Sequence, residues 1–359
     1  MLSFTPPPPF KYCFFFTLPF HSGLKQPPIN HPHLLALMKS FFCFTFSDKV
    51  ADCASDGCCS ASDVSTSVNK FSWEEINKRT RNFSKQIGSG GFSTVYLARL
   101  PDYGFAAVKI QSACTDRLAQ IHDQELQILT RLSHPNIVKF VGHCDDREDE
   151  RALVFEYASN GNLYDKLHTL TWKTRTLIAF QLASTLEYLH GMQIIHGDIK
   201  SANILLDQHL NCKLCDFGSA KLGFTSMVLP PSSTKMNRMI MGSQGYVDPH
   251  YLKTGLVSKK NDIYSYGVVL LELITGREAF SMERGEKLAD VIGPVVSGVV
   301  GVEEVVDPRL RHGGGGFDLE EVKAMVLVAG KCIGCSPMVR PCASEIVASL
   351  RDQFQSITH

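Results

Sequence analysis

The chain lacks any excess of charge. Its 36 lysines and arginines balance 36 aspartates and glutamates, which fits neither a nucleic-acid-coating protein nor a highly charged disordered one, and no nucleic-acid partner is implied. It also lacks an uninterrupted apolar run of the roughly 18–20 residues that a membrane-spanning helix needs. The nearest stretches, "YCFFFTLPF" and "LLALMKSFFCFTF", are broken by Pro19 and Lys39, so no span is expected. Residues 1–47 contain neither an acidic residue nor an arginine, and the start "MLSFTPPPP" has no basic residue. A secretory signal would want that basic start, and a transit peptide would want arginine. The 12 cysteines do not form the tight framework of a small secreted domain, which points to a reducing compartment. Two CxxC pairs, Cys212 with Cys215 and Cys332 with Cys335, have no histidine or cysteine companions to complete four zinc ligands. Both pairs are expected to be core thiols.

What is present divides in order along the chain. At 359 residues it exceeds the usual single core, so two lobes or a domain with an appendage are expected. Residues 1–70, rich in proline and aromatics and then in serine and threonine, read as an arm and linker without fixed structure. Residues 71–81, within "FSWEEINKRTRNFS", read as a lead-in helix with Ser72 as N-cap and Glu75 completing a capping box. From residue 82 to 157 strand-like runs dominate ("VYLARL", "FAAVKI", "IVKFVGHC", "ALVFEY"), with one helical stretch, "LAQIHDQELQILTRL", inserted. From 158 to 355 the pattern is mostly helical: "TWKTRTLIAFQLASTLEYLHGM", "NDIYSYGVVLLELITG" and "LEEVKAMVLVAGKCI". The expected fold class is therefore α+β, with a small β-rich lobe before a larger helical one.

Several constellations carry chemistry. In "IGSGGFSTVYLA", Gly88, Gly90 and Gly91 lie in a turn between two strands, where the missing Cβ lets backbone approach phosphate oxygens. Strand rather than helix follows it, which argues against a dinucleotide fold or a P-loop. Lys109 ends the next strand, placed to pair with phosphate, and Glu125 on the inserted helix is the carboxylate available to hold it. In "IIHGDIKSAN", Asp198 can accept a hydroxyl proton, Lys200 can neutralise a transferring phosphoryl group and Asn203 can offer a carbonyl oxygen to a metal. Asp216, in "LCDFGSA", is a carboxylate suited to a Mg²⁺ that bridges phosphates.

Those residues, in that order, resemble a eukaryotic protein kinase across residues 82–355. Within that family, "LVFEYASNGNL", "GYVDPHYLKTG", "DIYSYGVVLLELITGREA" and "CIGCSPMVRP" resemble the plant receptor-like kinase and Pelle group, nearest to its cytoplasmic members. The resemblance implies a bilobal kinase fold, ATP with Mg²⁺ (or Mn²⁺) as cofactors, a protein substrate and a plasma-membrane receptor complex as partner. It implies that Ile87, Gly88, Gly90, Gly91, Ser93, Val95, Lys109, Glu156 and Tyr157 bind ATP, with Phe155 as gatekeeper. Asp198 would be the catalytic base, assisted by Lys200, Lys109 and Glu125; Asn203 and Asp216 would hold the metal, and Asp262 would anchor the catalytic loop. Lys200, two residues after the base, favours serine and threonine acceptors. The implied location is cytoplasmic, with a peripheral place at the plasma membrane as an alternative: Cys43, Cys53, Cys58 and Cys59, which follow a hydrophobic stretch, are either palmitoylated or merely buried or reduced thiols.

Three positions depart from the family pattern. Ser93 stands for the third glycine of the loop. Gly197 stands where an arginine usually precedes the base and reads a phosphate on the activation loop, so phosphorylation of Thr225, Ser226, Ser232, Ser233 or Thr234 is not expected to be required. His250 stands for a glutamate that usually pairs with Arg340, so His250→Glu is expected to raise the melting temperature. The rival function is a signalling scaffold on a kinase fold with little turnover. A third reading is a receptor whose ectodomain lies outside this sequence.

Overall fold

The computed structural model describes residues 68–354 apart from 92, 114, 224–241, 297–300 and 313–315. The activation-loop hydroxyls and the arm cysteines named above lie outside the described residues.

The small lobe is built on one six-stranded sheet. Its strands are β1 (Asn69–Lys70), β2 (Gln86–Ser89), β3 (Ser93–Leu100), β4 (Gly104–Ser112), β5 (Phe140–Cys144) and β6 (Glu150–Glu156), in the order β1-β5-β6-β4-β3-β2. All pairings are antiparallel except β1 with β5. The edge strand takes two residues from the segment expected to be arm, because Asn69 and Lys70 find the free side of β5. Helix α1 (Trp73–Arg79) has the expected capping box of Ser72 and Glu75, and its Ile76, 1% exposed, packs into the sheet's core with Val108, Val141 and Val154. It is thus a wall of the small lobe. Helix α2 (Asp116–Leu129), capped by Thr115, packs on the opposite side of β4 and buries Glu125. The strand expected from Ile137 starts only at Phe140; the residues before it instead reach Leu214 of the large lobe through the Val138 N–H.

The large lobe is helical. Short α3 (Leu163–Lys166) leads to α4 (Trp172–Gly191), and α6 (Lys259–Thr275) follows α5 (Pro249–Thr254). Every residue of α6 from Ile263 to Thr275 except Ser265 is buried, so α6 is the lobe's central axis, flanked by α4 and by the helix Leu319–Cys332. Between α4 and α6 run the strands β7 (Ile194–Ile195), β8 (Ile204–Leu206), β9 (Cys212–Leu214) and β10 (Lys221–Leu222), paired as β7 with β10 and β8 with β9. Such short pairs cannot stand alone. They are held down by a core that includes Ile194, Ile204, Leu206 and Leu214, all fully buried.

Candidate active site

Strand register brings the first residues together. Val95 on β3 lies opposite Lys109 on β4, beneath the turn in which the Gly90 N–H donates to the Ser93 carbonyl at 2.8 Å. Lys109 Nζ donates to Glu125 Oε1 at 2.8 Å and Oε2 at 3.2 Å, and to Asp216 Oδ1 at 2.8 Å. Burial works against the Lys109 charge, but Asp216 and Glu125 more than offset it and hold the ammonium above the ordinary lysine range. In return Lys109 holds the Asp216 carboxyl well below the usual carboxylate range. Asp216 sits at φ 65°, a left-handed conformation uncommon outside glycine, and beside it Phe217 is 1% exposed against the ring of His196 at 4.9 Å.

Below the cleft, α6 fixes the loop that carries Asp198. The Asp262 carboxylate accepts the N–H groups of His196 and Gly197, each at 2.9 Å, and meets His190 Nε2 at 3.0 Å. His196 is fully buried; its Nε2 lies 3.1 Å from the Cys215 carbonyl and its Nδ1 accepts the Asp198 N–H at 3.3 Å. That pairing sets the tautomer: the carbonyl needs a donor and the amide needs an acceptor. Asp198 Oδ2 then takes Lys200 Nζ at 2.7 Å and Asn203 Nδ2 at 3.2 Å, and Oδ1 takes Ser243 Oγ at 2.9 Å. Lys200 Nζ also donates to Ser243 Oγ at 2.8 Å.

Gly197 has a local reason of its own. Its φ is +79°, and a Cβ there would lie 2.9 Å from the Ser219 carbonyl oxygen. A side chain at this position would carry both the left-handed cost and that contact.

Other expected residues take simpler positions. Ile87 and Gly88 lie on β2, Gly91 in the turn, and Tyr157 just past β6 with its ring 6.1 Å from Phe105. Glu156 Oε1 accepts Lys213 Nζ at 2.8 Å and the Lys139 N–H at 2.9 Å, and the Glu156 N–H donates to the Lys139 carbonyl at 3.0 Å. Cys212 and Cys332 are fully buried, and burial pushes both thiols up. Cys335 is exposed, a departure from the expected core thiol that arises because it lies beyond the end of the helix Leu319–Cys332.

The expected meeting of His250 and Arg340 does not occur. Arg340, 2% exposed, makes a two-pronged pair with Asp248, Nη1 to Oδ2 at 2.6 Å and Nη2 to Oδ1 at 2.8 Å. Asp248 is the N-cap of α5 and accepts the His250 N–H, so the carboxylate lies two residues earlier than the family pattern has it. Sequence reasoning also missed Ser243, Gln111, His122 and Glu272. Ser243 lies two residues before the quoted "GYVDPHYLKTG", His122 and Glu272 lie inside quoted stretches and Gln111 directly follows "FAAVKI", but nothing local singles any of them out.

Comparison with known proteins agrees with this geometry. The protein kinase domain family matches residues 81–348. A probable receptor-like protein kinase of Arabidopsis thaliana is 45% identical over 306 residues, covering 80% of this chain and 89% of that protein. The salt tolerance receptor-like cytoplasmic kinase 1 of Oryza sativa subsp. japonica is 44% identical over 309 residues, covering 82% and 83%. The nodulation receptor kinase of Pisum sativum is 36% identical over 301 residues, 80% of this chain but 32% of that longer protein. With an α+β bilobal fold, a glycine turn over a lysine–glutamate pair and these relatives, the chain belongs to the protein kinase family, a group that uses ATP and a divalent metal, and its close relatives are plant receptor-like kinases.

Proposed function

We propose that the chain is a serine/threonine protein kinase that transfers the γ-phosphoryl group of ATP to a protein hydroxyl, with Asp198 as the base. The observation that supports this reading is the setting of Asp198: Lys200 and Asn203 donate to one carboxylate oxygen and Ser243 to the other. A hydroxyl entering that cluster would replace Ser243 and meet a carboxylate oriented to take its proton, with the Lys200 charge beside the phosphoryl group. Lys109, held by Glu125, would orient the α- and β-phosphates.

Mg²⁺ fits the oxygens on offer. Asn203 gives its Nδ2 to Asp198, leaving its carbonyl oxygen to a cation, and Asp216 keeps Oδ2 while Oδ1 meets Lys109. Among the described residues no group of three or more His, Cys, Asp or Glu side chains could hold a metal. The cation's remaining positions therefore fall to phosphate and water, the way Mg²⁺ is usually held. When bound, Mg²⁺ neutralises charge on the β- and γ-phosphate oxygens.

The scaffold reading has no observation in its favour, since each chemistry-bearing position of the motif is filled. One relative's name, a receptor-like cytoplasmic kinase, supports a cytoplasmic role in receptor signalling, and no described helix is long and apolar enough to cross a membrane. The test is phosphotransfer from radiolabelled ATP. Asp198→Asn should lower turnover by ~10²–10⁴ while ATP still binds. Unchanged turnover in that variant would reject Asp198 as the base.

A further inference from the structure

Behind the Lys109–Glu125 pair lies a second pair of residues to which no role has been given. Gln111 is two residues past Lys109 on β4, and His122 is three residues before Glu125 on α2. Side chains two apart on a strand share a face, and side chains three apart on a helix share a face. All four therefore meet in one layer. Gln111 is 8% exposed and His122 1%. Gln111 Nε2 donates to Glu125 Oε2 at 2.7 Å, and Gln111 Oε1 lies 2.5 Å from His122 Nδ1.

The direction of this chain of bonds follows from chemistry. An ionised Glu125 can only accept, so the amide must turn its NH₂ end toward it and its oxygen toward the histidine. His122 must then carry its proton on Nδ1. Its Nε2 is left as a bare acceptor, buried and without a hydrogen-bond partner among the described residues. Protonating Nε2 would place a charge there with no acceptor. The groups facing the ring are Arg151 from β6, His143 from β5, Lys109 from β4, and Asp123 of its own helix, whose carboxylate is already paired with Arg151. Burial first, then Arg151, push the His122 pKa down to about 4, against the opposing effect of Asp123.

We propose that His122 and Gln111 are positioning residues that fix the Glu125 carboxylate on Lys109, against the competing pull of Asp216 on the same ammonium. The proposal rests on the reading of Lys109 as the phosphate-binding lysine. Without a donor at position 122, the Gln111 oxygen loses its anchor, so the amide follows the Glu125 carboxylate instead of fixing it. Glu125 would then swing away, and Lys109 would follow Asp216.

The test combines a spectroscopic and a kinetic arm on the full chain. With ¹⁵N-labelled histidine, the His122 ring, assigned by the signal lost in His122→Asn, should show the Nδ1–H tautomer at pH 7 and should not titrate down to pH 5. An Nε2–H tautomer, or titration near the ordinary value of ~6.5, would overturn the proposal, and this arm needs no active variant. In the kinetic arm, His122→Phe should raise KM for ATP by about tenfold, the scale of one buried hydrogen bond. His122→Asn, which keeps an N–H near the Nδ1 position, should restore KM to within about threefold of wild type. Equal KM values for the two variants would mean that position 122 acts by packing alone and would overturn the relay. Lys109→Met separates the two ideas: if it keeps turnover, the ATP reading fails whatever the tautomer shows.

Discussion

The two sides of the cleft are held in different ways. Below it, the loop carrying Asp198 hangs from Asp262, and the surrounding frame is clamped by ion pairs with no exposed side-chain surface: Arg340 with Asp248 and Arg175 with Asp307. Arg175 also donates to the carbonyls of Leu167, Leu170 and Leu273, so each face of its guanidinium is satisfied. Above the cleft, Glu125 is oriented by one lysine, which it shares with Asp216, and by a neutral amide and imidazole. Asp307 is held by a second cation as well, Arg309 Nε at 2.8 Å, and a buried arginine with a single carboxylate has no good alternative, because moving away leaves a charge stranded in low dielectric. A carboxylate sharing a lysine with a second carboxylate does have one. The lower side is built to stay in place, and the upper side to be set.

The largest expected effect tests the lower clamp. Asp248→Ala removes the partner of a fully buried arginine and the N-cap of α5 at once. Breaking such a pair typically costs ~3–5 kcal/mol, so denaturant unfolding should show a loss of that size. A loss below ~1 kcal/mol would show that Arg340 re-pairs freely and would remove the contrast between the two sides.

A second effect, spread over pH, comes from a buried lower carboxylate that meets no cation among the described residues. Glu272, fully buried in α6, accepts from Tyr246 Oη at 2.8 Å and Ser201 Oγ at 3.1 Å, tying the loop that carries Asp198 to the segment after Gly245. Burial pushes its pKa up to about 8 from an ordinary 4.5. The folded chain therefore keeps a proton that the unfolded chain releases. Its contribution is fully present below pH 4.5 and is lost as pH rises through about 8. Glu272→Gln, which mimics the protonated acid, should remove that slope, worth up to ~1.4 kcal/mol per pH unit. Thermal melts at pH 5 and pH 8 measure it: the variant should gain on wild type at the higher pH. A constant difference between the two would mean that Glu272 is already ionised in the fold.

The same contrast explains how far the sequence could be read. Lys109, Glu125, Asp198, Asn203 and Asp216 were legible because the kinase motifs fix their spacing, and the Ser72 capping box was legible because it is local. The lobes could be ordered from periodicity alone. The edge strand Asn69–Lys70 was not visible, since two residues carry no pattern and their partner Gly142 lies far along the chain. Nothing local in "TWKTRT" marks Arg175 as buried; its burial depends on Asp307, 132 residues away. Gln111 and His122 were each unremarkable until strand and helix faces were superposed. The substitution at His250 was legible, but not its compensation.

That substitution gives the smallest expected effect. By family pattern, a glutamate restored at position 250 would gain Arg340 as partner and raise the melting temperature. The structure leaves Arg340 nothing to give. Both Nη atoms are on Asp248, Nη1 also donates to the Lys260 carbonyl at 3.0 Å, Nε donates to the Gly334 carbonyl at 2.8 Å, and the guanidinium lies over the Tyr264 ring at 5.1 Å. His250 is only half-buried, and its N–H is already held by Asp248 Oδ1 at 2.9 Å. A new carboxylate there would gain a few tenths of a kcal/mol from the first turn of α5 and lose a similar amount to repulsion from Asp248. His250→Glu should therefore melt within about 2 °C of wild type at both pH 6 and pH 8, the range of a neutral surface change in a domain of this size. A rise of more than about 4 °C would mean that Arg340 can be drawn off Asp248. The lower clamp would then share its cation between two carboxylates, as Lys109 does above.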